Sequence, residues 1–330
     1  MNYSHFTKPI KIGKATLPNR IFYSPLAGCS DFPFRKMSAK YKPGLQYCEM
    51  VKMDALVRND ENTFRILDYD QSMRPIGAQL CGSKPEYAAE SARRIEDLGF
   101  DVIDLNCGCP VDKVTKDGSG SGLLKNPEKI GAIIRKMVEA VSIPVTIKIR
   151  AGWDDDSIVV EEITKIAEEA GAYAIAVHAR TREQGYHGPA RWDFITRAVK
   201  ARNNILVIGN GDLFSPEAAS DMIQATGCDA LLVSRGIMGN PWIAEDIFHY
   251  FNGESPKKRT FLDRKEALLE HLDFAANYYE SKKAAIEMRK VGCWYIKDAG
   301  GARAFRGLVT KAESVEEMRK LIEEHPFTAE

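Results

Sequence analysis

The chain has 330 residues, 46 Lys+Arg against 46 Asp+Glu, and 44% apolar residues. It is long enough to bury one large domain and a smaller one, and its balanced charge excludes a uniformly basic protein that coats nucleic acid. No apolar run approaches the roughly 18 residues of a membrane span, the start MNYSHFTKPIKIG carries neither a signal-peptide core nor a lipidation motif, and the seven cysteines lack the paired spacing of a secreted scaffold, so a cytoplasmic protein without membrane contact is expected.

In chain order, Ile21-Phe22-Tyr23-Ser24-Pro25 reads as a short strand that ends in the small-residue loop Leu26-Ala27-Gly28-Cys29. Asp31 is placed to cap a helix from Phe32 to Lys40. Further strands are expected at 47–50, 75–80, 102–105, 145–150, 174–178, 205–208 and 230–233, with helices at 85–98, 127–141, 158–170, 192–202 and 216–226 between them. Eight apolar strands alternating with helices predict a parallel (β/α)8 TIM barrel. No Gly-x-Gly-x-x-Gly follows the first strand, which removes the main support for a dinucleotide-binding open sheet.

From about Trp242 the pattern changes to helices at 243–252, 262–281, 283–297 and 313–324 with no strands between. The expected division is a barrel over 1–242 and a small helical bundle over 243–330. The bundle is locally basic through Arg259, Arg264, Lys265, Lys282, Lys283, Arg289, Lys290, Lys297, Arg303 and Arg306. Met288, Trp294 and Tyr295 are read as its core.

The stretch Asp101 to Leu124 organises the chemistry. Its strand stops at Asn106, and Cys109 sits in the loop after it, at the strand's carboxyl end where a barrel gathers its functional side chains. The following Gly118-Ser119-Gly120-Ser121-Gly122 suits either close backbone approach to a ligand or a mobile lid. Lys148 and Arg150 alternate along one strand and so share a face, where a buried cation calls for a phosphate, an electron-rich ring or an ion pair with a neighbouring carboxylate. His178 ends the next strand. The clusters Gly209-Asn210-Gly211-Asp212 and Ser234-Arg235-Gly236 follow strands seven and eight, the usual phosphate site of a barrel, and imply a mononucleotide.

These residues carry a resemblance. Arg20 to Gly28, Gln79-Leu80-Cys81-Gly82, Asp104-Leu105-Asn106-Cys107-Gly108-Cys109-Pro110, Lys148-Ile149-Arg150, His178-Ala179-Arg180-Thr181, Asn210-Gly211-Asp212, Gly239-Asn240-Pro241-Trp242, Met288-Arg289-Lys290 and Trp294-Tyr295-Ile296-Lys297 together resemble the bacterial-type tRNA-dihydrouridine synthases over nearly the whole chain. The resemblance implies an FMN flavoprotein, recharged by NADPH, that reduces specific tRNA uridines by hydride to carbon 6 and a proton from Cys109 to carbon 5. It places Pro25, Leu26, Ala27, Gln79, Lys148 and His178 at the flavin, and Asn210, Gly211, Asp212, Ser234 and Arg235 at its phosphate. Asn106, Arg150 and Arg180, with His178 beside them, are expected around the flipped uracil and its ribose-phosphate. The partner is tRNA, with no metal and no obligate protein partner evident. Cys107, Ser119, Ser121 and the Ser234-Arg235-Gly236 turn depart from the commoner family pattern; Cys107 is read as packing, and the two serines as a change in lid mobility. A barrel reductase of a small molecule and a non-catalytic RNA-binding protein are the alternative readings.

Overall fold

The computed structural model describes residues 3–297 and 299–326. A short antiparallel hairpin, β1 (Ile10–Ile12) and β2 (Ala15–Leu17), precedes a closed parallel barrel. Its staves are β3 (Ile21–Tyr23), β4 (Leu45–Lys52), β5 (Ile76–Cys81), β6 (Val102–Cys107), β7 (Val145–Arg150), β8 (Ala174–His178), β9 (Leu206–Asn210) and β10 (Ala230–Val233), with β10 pairing β3 to close the ring. The eight staves fall where the apolar runs placed them. The hairpin was not anticipated, because three-residue strands are too short to show alternation; its Ile10, Ile12 and Leu17 pack in one apolar cluster with Phe22, Leu45, Val102 and Leu232.

Helices cover the outside: α1 (Phe32–Ala39), α2 (Met53–Val57), α3 (Glu61–Ile66), α4 (Ala88–Asp97), α5 (Asp112–Thr115), α6 (Pro127–Ala140), α7 (Val160–Glu169), α8 (Asp193–Ala201), α9 (Pro216–Thr226) and α10 (Ile243–Phe251). Asp31 does cap α1, accepting from the Phe34 N–H at 3.1 Å. Ile243, Ala244, Ile247 and Phe251 of α10 belong to the main barrel cluster. Helix α10 thus covers the barrel wall as the helix of the eighth βα unit, while Trp242 just before it packs in the cluster of the helices that follow.

Four more helices follow: α11 (Phe261–Tyr278), α12 (Ser281–Tyr295), α13 (Ala302–Val309) and α14 (Val315–Glu324). Among them α13 escaped sequence reading, since glycines at 300, 301 and 307 break its helical signal. Leu268, Leu272, Met288, Tyr295, Phe305, Met318 and Ile322 form a second core, and Trp294 packs against both. The bundle docks on α1: the Phe32 and Tyr278 rings stack at 4.3 Å, the Tyr279 hydroxyl donates to Asp31 at 3.0 Å, and Lys290 donates to the Gly28 carbonyl. No described helix is long and apolar enough to cross a membrane.

Register positions the polar residues. Gln79 lies beside Asp104, Asp104 beside Thr146, and Asn106 beside Lys148. Arg150 lies beside His178, and His178 beside Asn210. Side chains of one parity point inward, so these residues line the carboxyl end of the barrel interior.

Candidate active site at the barrel mouth

A cavity of about 370 Å³ opens at the carboxyl ends of the staves. Pro25, Leu26, Ala27, Gln79, Asn106, Cys109, Lys148, Arg150, His178, Asn210, Gly211, Asp212, Ser234 and Arg235 all line it, whereas Arg180 does not. Residues from seven staves or the loops after them thus meet in one place, although Pro25 and Arg235 stand at opposite ends of the barrel sequence.

The loop that carries Cys109 is held from two sides. The Asn106 Oδ1 accepts the N–H groups of Gly108 at 3.1 Å and Cys109 at 2.9 Å. Its Nδ2 donates to Gln79 Oε1 at 2.7 Å and approaches the Met50 sulfur at 3.6 Å. All four hydrogen-bonding positions of that amide have partners inside the protein, so Asn106 holds the cysteine's loop from within the cavity wall. On the other side, Ser121 donates its N–H and Oγ to the Cys109 carbonyl at 3.0 and 2.9 Å.

The Gly-rich segment is no lid. Residues Gly120–Lys125 form a 3-10 turn, and Ser119 and Ser121 are buried. At Gly120, with φ +59°, a Cβ would lie 2.8 Å from the Cys109 carbonyl, so the turn can approach the cysteine only as glycine. Cys107 ends β6 fully buried and packs in the barrel core.

Lys148 is the cavity's unmatched cation. Burial, with the Arg150 charge added, brings its amine down to about 8, against a weaker opposing pull from Asp104. No hydrogen bond or ion pair holds its Nζ among the described residues. Arg150, by contrast, is engaged: Nε donates to the Gly108 carbonyl at 3.0 Å, and Nη1 to the carbonyls of Thr181 and Gly185 at 2.7 and 2.9 Å. Burial and the surrounding charges of Lys148, Arg150, Arg180 and Arg235 drive His178 well below its usual range. It is a neutral imidazole near pH 7.

At the far wall, Asn210 Nδ2 donates to the Leu232 carbonyl at 2.6 Å and to Ser234 Oγ at 2.9 Å. The Asp212 carboxylate accepts both Arg180 nitrogens at 2.6 and 3.0 Å, Arg235 at 2.9 Å and the Ala190 N–H at 2.8 Å. Burial alone would raise that carboxyl; the Arg180 and Ala190 hydrogen bonds and the two guanidinium charges hold it below the usual range. Arg180 also donates to the Gly188 carbonyl at 2.6 Å and is almost completely buried. It stands behind Asp212, with both terminal nitrogens engaged and its Nη1 3.4 Å from His178 Nε2, while its buried Nε has no partner among the described residues. The backbone N–H groups of Gly211, Asp212, Arg235 and Gly236 have no partner among the described residues. A Cβ at Gly236 would come within 2.1 Å of the Leu213 carbonyl. This is a cradle built from bare backbone, suited to an anion.

Sequence reading missed two rim residues, Tyr186 and Phe214. Both are more than half exposed, and their rings flank the Arg235 guanidinium at 4.3 and 5.4 Å. Their position just beyond His178-Ala179-Arg180-Thr181 and Asn210-Gly211-Asp212 was the available signal.

A family model described as Dihydrouridine synthase (Dus) matches residues 22–329. Probable tRNA-dihydrouridine synthase 1 of Synechocystis sp. is 38% identical over 330 residues, covering 99% of this chain and 92% of that protein. tRNA-dihydrouridine synthase B of Pseudomonas aeruginosa is 38% identical over 308 residues, 93% of this chain and 92% of the relative. Among solved structures, histamine dehydrogenase from Rhizobium sp. 4-9 superposes with a TM-score of 0.60 at 14% identity, over 82% of this chain and 51% of that one. A morphinone reductase does so at 0.52 and 14% identity, over 77% and 92%. At such identity these two show a shared barrel fold.

Proposed function

The chain belongs to the dihydrouridine synthase family, and from that premise we propose that its barrel mouth holds FMN and that Cys109 is the proton donor in the reduction of tRNA uridines to 5,6-dihydrouridine. The residues present fit the flavin. Lys148 offers a half-buried cation, without a partner among the described residues, to an electron-rich ring, and the N–H groups of Gly211, Asp212, Arg235 and Gly236, likewise unpartnered there, suit one phosphate. Pro25, Leu26, Ala27, Gln79 and His178 complete the walls, with Asn210 and Ser234 bracing the phosphate end. Bound there, FMN supplies hydride to carbon 6 of the uracil after reduction by NADPH.

The rest is done by the chain. Cys109 Sγ donates a proton to carbon 5, and the resulting thiolate regains one from solvent. Two clamps fix the thiol's loop before substrate arrives, which is the orientation an acid needs. Neutral His178 can donate or accept one hydrogen bond without adding charge beside the uracil. Arg150 ties together the loops that shape the pocket floor. The carrying observation is that Cys109, clamped by Asn106 and Ser121, shares one cavity with an unpaired lysine and a bare-backbone anion cradle.

The helices after Phe251 serve as the tRNA cradle. Of the basic residues there, Lys282, Lys297, Arg303 and Arg306 are exposed and have no partner among the described residues. Phosphate contacts by such side chains position the RNA while the cavity reads the base. The enzyme acts in the cytoplasm without an obligate protein partner. The test is dihydrouridine mapped by position after incubation with NADPH and unmodified tRNA. Reduction at defined positions, lost in Cys109→Ala while NADPH still reduces the flavin, is the expected result. NADPH oxidation with every uridine intact overturns it in favour of a small-molecule reductase.

A further inference from the structure

One buried carboxylate in the barrel interior has no part in the chemistry above. Asp104 is 3% exposed and lies on β6 below the cysteine loop. Its Oδ2 accepts from Gln79 Nε2 at 2.7 Å and its Oδ1 from Thr146 Oγ1 at 2.7 Å. From the proposed roles of Gln79 and Cys109, and resting on that reading, we infer that Asp104 is the positioning residue that sets the direction of the Gln79 and Asn106 amides, and through them both the cofactor wall and the proton donor's loop.

A primary amide has nearly the same shape either way round, so only its partners decide which end is nitrogen. An ionised carboxylate only accepts, which turns Gln79 Nε2 toward Asp104 and leaves Gln79 Oε1 facing Asn106. That oxygen in turn draws Asn106 Nδ2, so the Asn106 oxygen must face the N–H groups of Gly108 and Cys109, as it does. Reversing either amide would set donor against donor at one junction and acceptor against acceptor at the other. Every donor in the chain points back toward Asp104. Gln79 also lines the cavity, and its second Nε2 hydrogen and second Oε1 lone pair remain, so Asp104 fixes the order in which donor and acceptor meet a flavin edge.

Burial alone makes this carboxylate expensive to keep ionised, and raises its carboxyl to about 6 against the hydrogen bonds of Gln79 and Thr146 and the charge of Lys148. A leucine would fill the site without that cost. Retaining an acceptor-only group there is what a polarity anchor requires.

The experiment compares Asp104→Leu with Asp104→Asn. Asparagine can accept from Gln79 through Oδ1 and donate Nδ2 to the Thr146 hydroxyl, so it preserves the polarity, whereas leucine abolishes it. Two readouts are used: the iodoacetamide alkylation rate of Cys109 in flavin-free protein, followed by mass spectrometry of its peptide, and FMN affinity. Asp104→Leu is expected to change the alkylation rate about threefold or more and to weaken FMN binding about tenfold, with the tRNA KM unmoved; Asp104→Asn is expected to stay within about twofold of wild type. Wild-type behaviour of Asp104→Leu overturns the inference. So does equal damage in Asp104→Asn, which would assign the effect to the carboxylate's charge. If Asp104→Leu does not fold, Gln79→Met severs the same chain, and an unchanged Cys109 alkylation rate in that variant overturns the inference as well. Alkylation of flavin-free protein involves no RNA, so failure of uridine reduction in the wild type would be seen separately.

Discussion

In the C-terminal helices, Arg289 donates Nε and Nη2 to the Ala312 carbonyl at 3.0 and 2.7 Å, Arg264 donates to the Lys297 carbonyl at 2.9 Å, and buried His271 meets the Tyr295 hydroxyl at 3.3 Å. At the barrel mouth, Lys148 lines the cavity with no partner among the described residues, and four backbone N–H groups at Gly211, Asp212, Arg235 and Gly236 are equally without one there. Both regions bury polar groups at a desolvation cost. In the bundle the cost is offset inside the chain, and those groups fix helix packing. At the mouth it is left for a ligand to offset, and that difference separates structural from functional polarity more reliably than residue type does.

The largest effect should come from the mouth. Cys109→Ala is expected to lower uridine reduction by about 10²–10⁴-fold, the usual contribution of a general acid, while flavin reduction by NADPH persists. Rapid-mixing absorbance of the flavin beside dihydrouridine counts would resolve the two half-reactions. Next, Lys148→Met should weaken FMN binding by about 10–100-fold, as loss of a charged contact in a buried site implies, and should not lower the melting temperature. Arg289→Met should do the reverse, lowering the melting temperature with FMN affinity unchanged, because Arg289 already holds Ala312. Equal behaviour of the two variants would erase the distinction.

The barrel was legible because its staves are apolar, β-branched runs bounded by turn residues, and strand ends announce the functional layer. Partners across the ring were not. Asn106 and Arg180 carry family motifs that suggest substrate contacts, yet their side chains are engaged by Gln79 of β5 and by Asp212, just after β9. Those neighbours are fixed by barrel closure and register, which no local window contains. The polarity chain from Asp104 was hidden for the same reason, as Gln79 and Thr146 stand on the two flanking staves.

Acid stability offers a third, smaller contrast. His271 is pushed down to about 3 by burial, and His178 also lies well below its usual range. Unfolding exposes each to an ordinary pKa near 6.5, so the unfolded chain takes up protons that the fold refuses, and stability falls as pH drops below about 6.5. The slope reaches about 1.4 kcal/mol per pH unit for each histidine and for His271 ends near pH 3. Asp104 acts oppositely: raised to about 6, it takes up a proton in the fold before the unfolded carboxyl does near 3.9, so the fold gains relative stability as pH falls from about 6 to 4. Urea unfolding of wild type and His271→Gln isolates the bundle's share. The advantage of wild type should shrink by about 2 kcal/mol between pH 6.5 and 5, and a pH-independent difference would show that His271 is solvated in the fold.

The smallest effect tests the bundle's surface. Arg303 and Arg306 sit three residues apart on α13, so their side chains share a face; both are exposed, with no partner among the described residues. If the bundle positions tRNA through phosphates, each of Arg303→Ala and Arg306→Ala should raise the tRNA KM a few-fold at physiological salt, with kcat and FMN content unchanged. More decisive is the salt dependence. Removing one phosphate contact should reduce the slope of log affinity against log salt by about 1, uniformly across tRNA sequences. Lys283→Ala is the matched control, because Lys283 already pairs with Glu287 at 2.7 Å on α12 and should leave the slope unaltered. A reduced slope in the control and none in the arginine variants would place the RNA on another face of the bundle, and would break the rule that an unpaired charge marks the surface that binds.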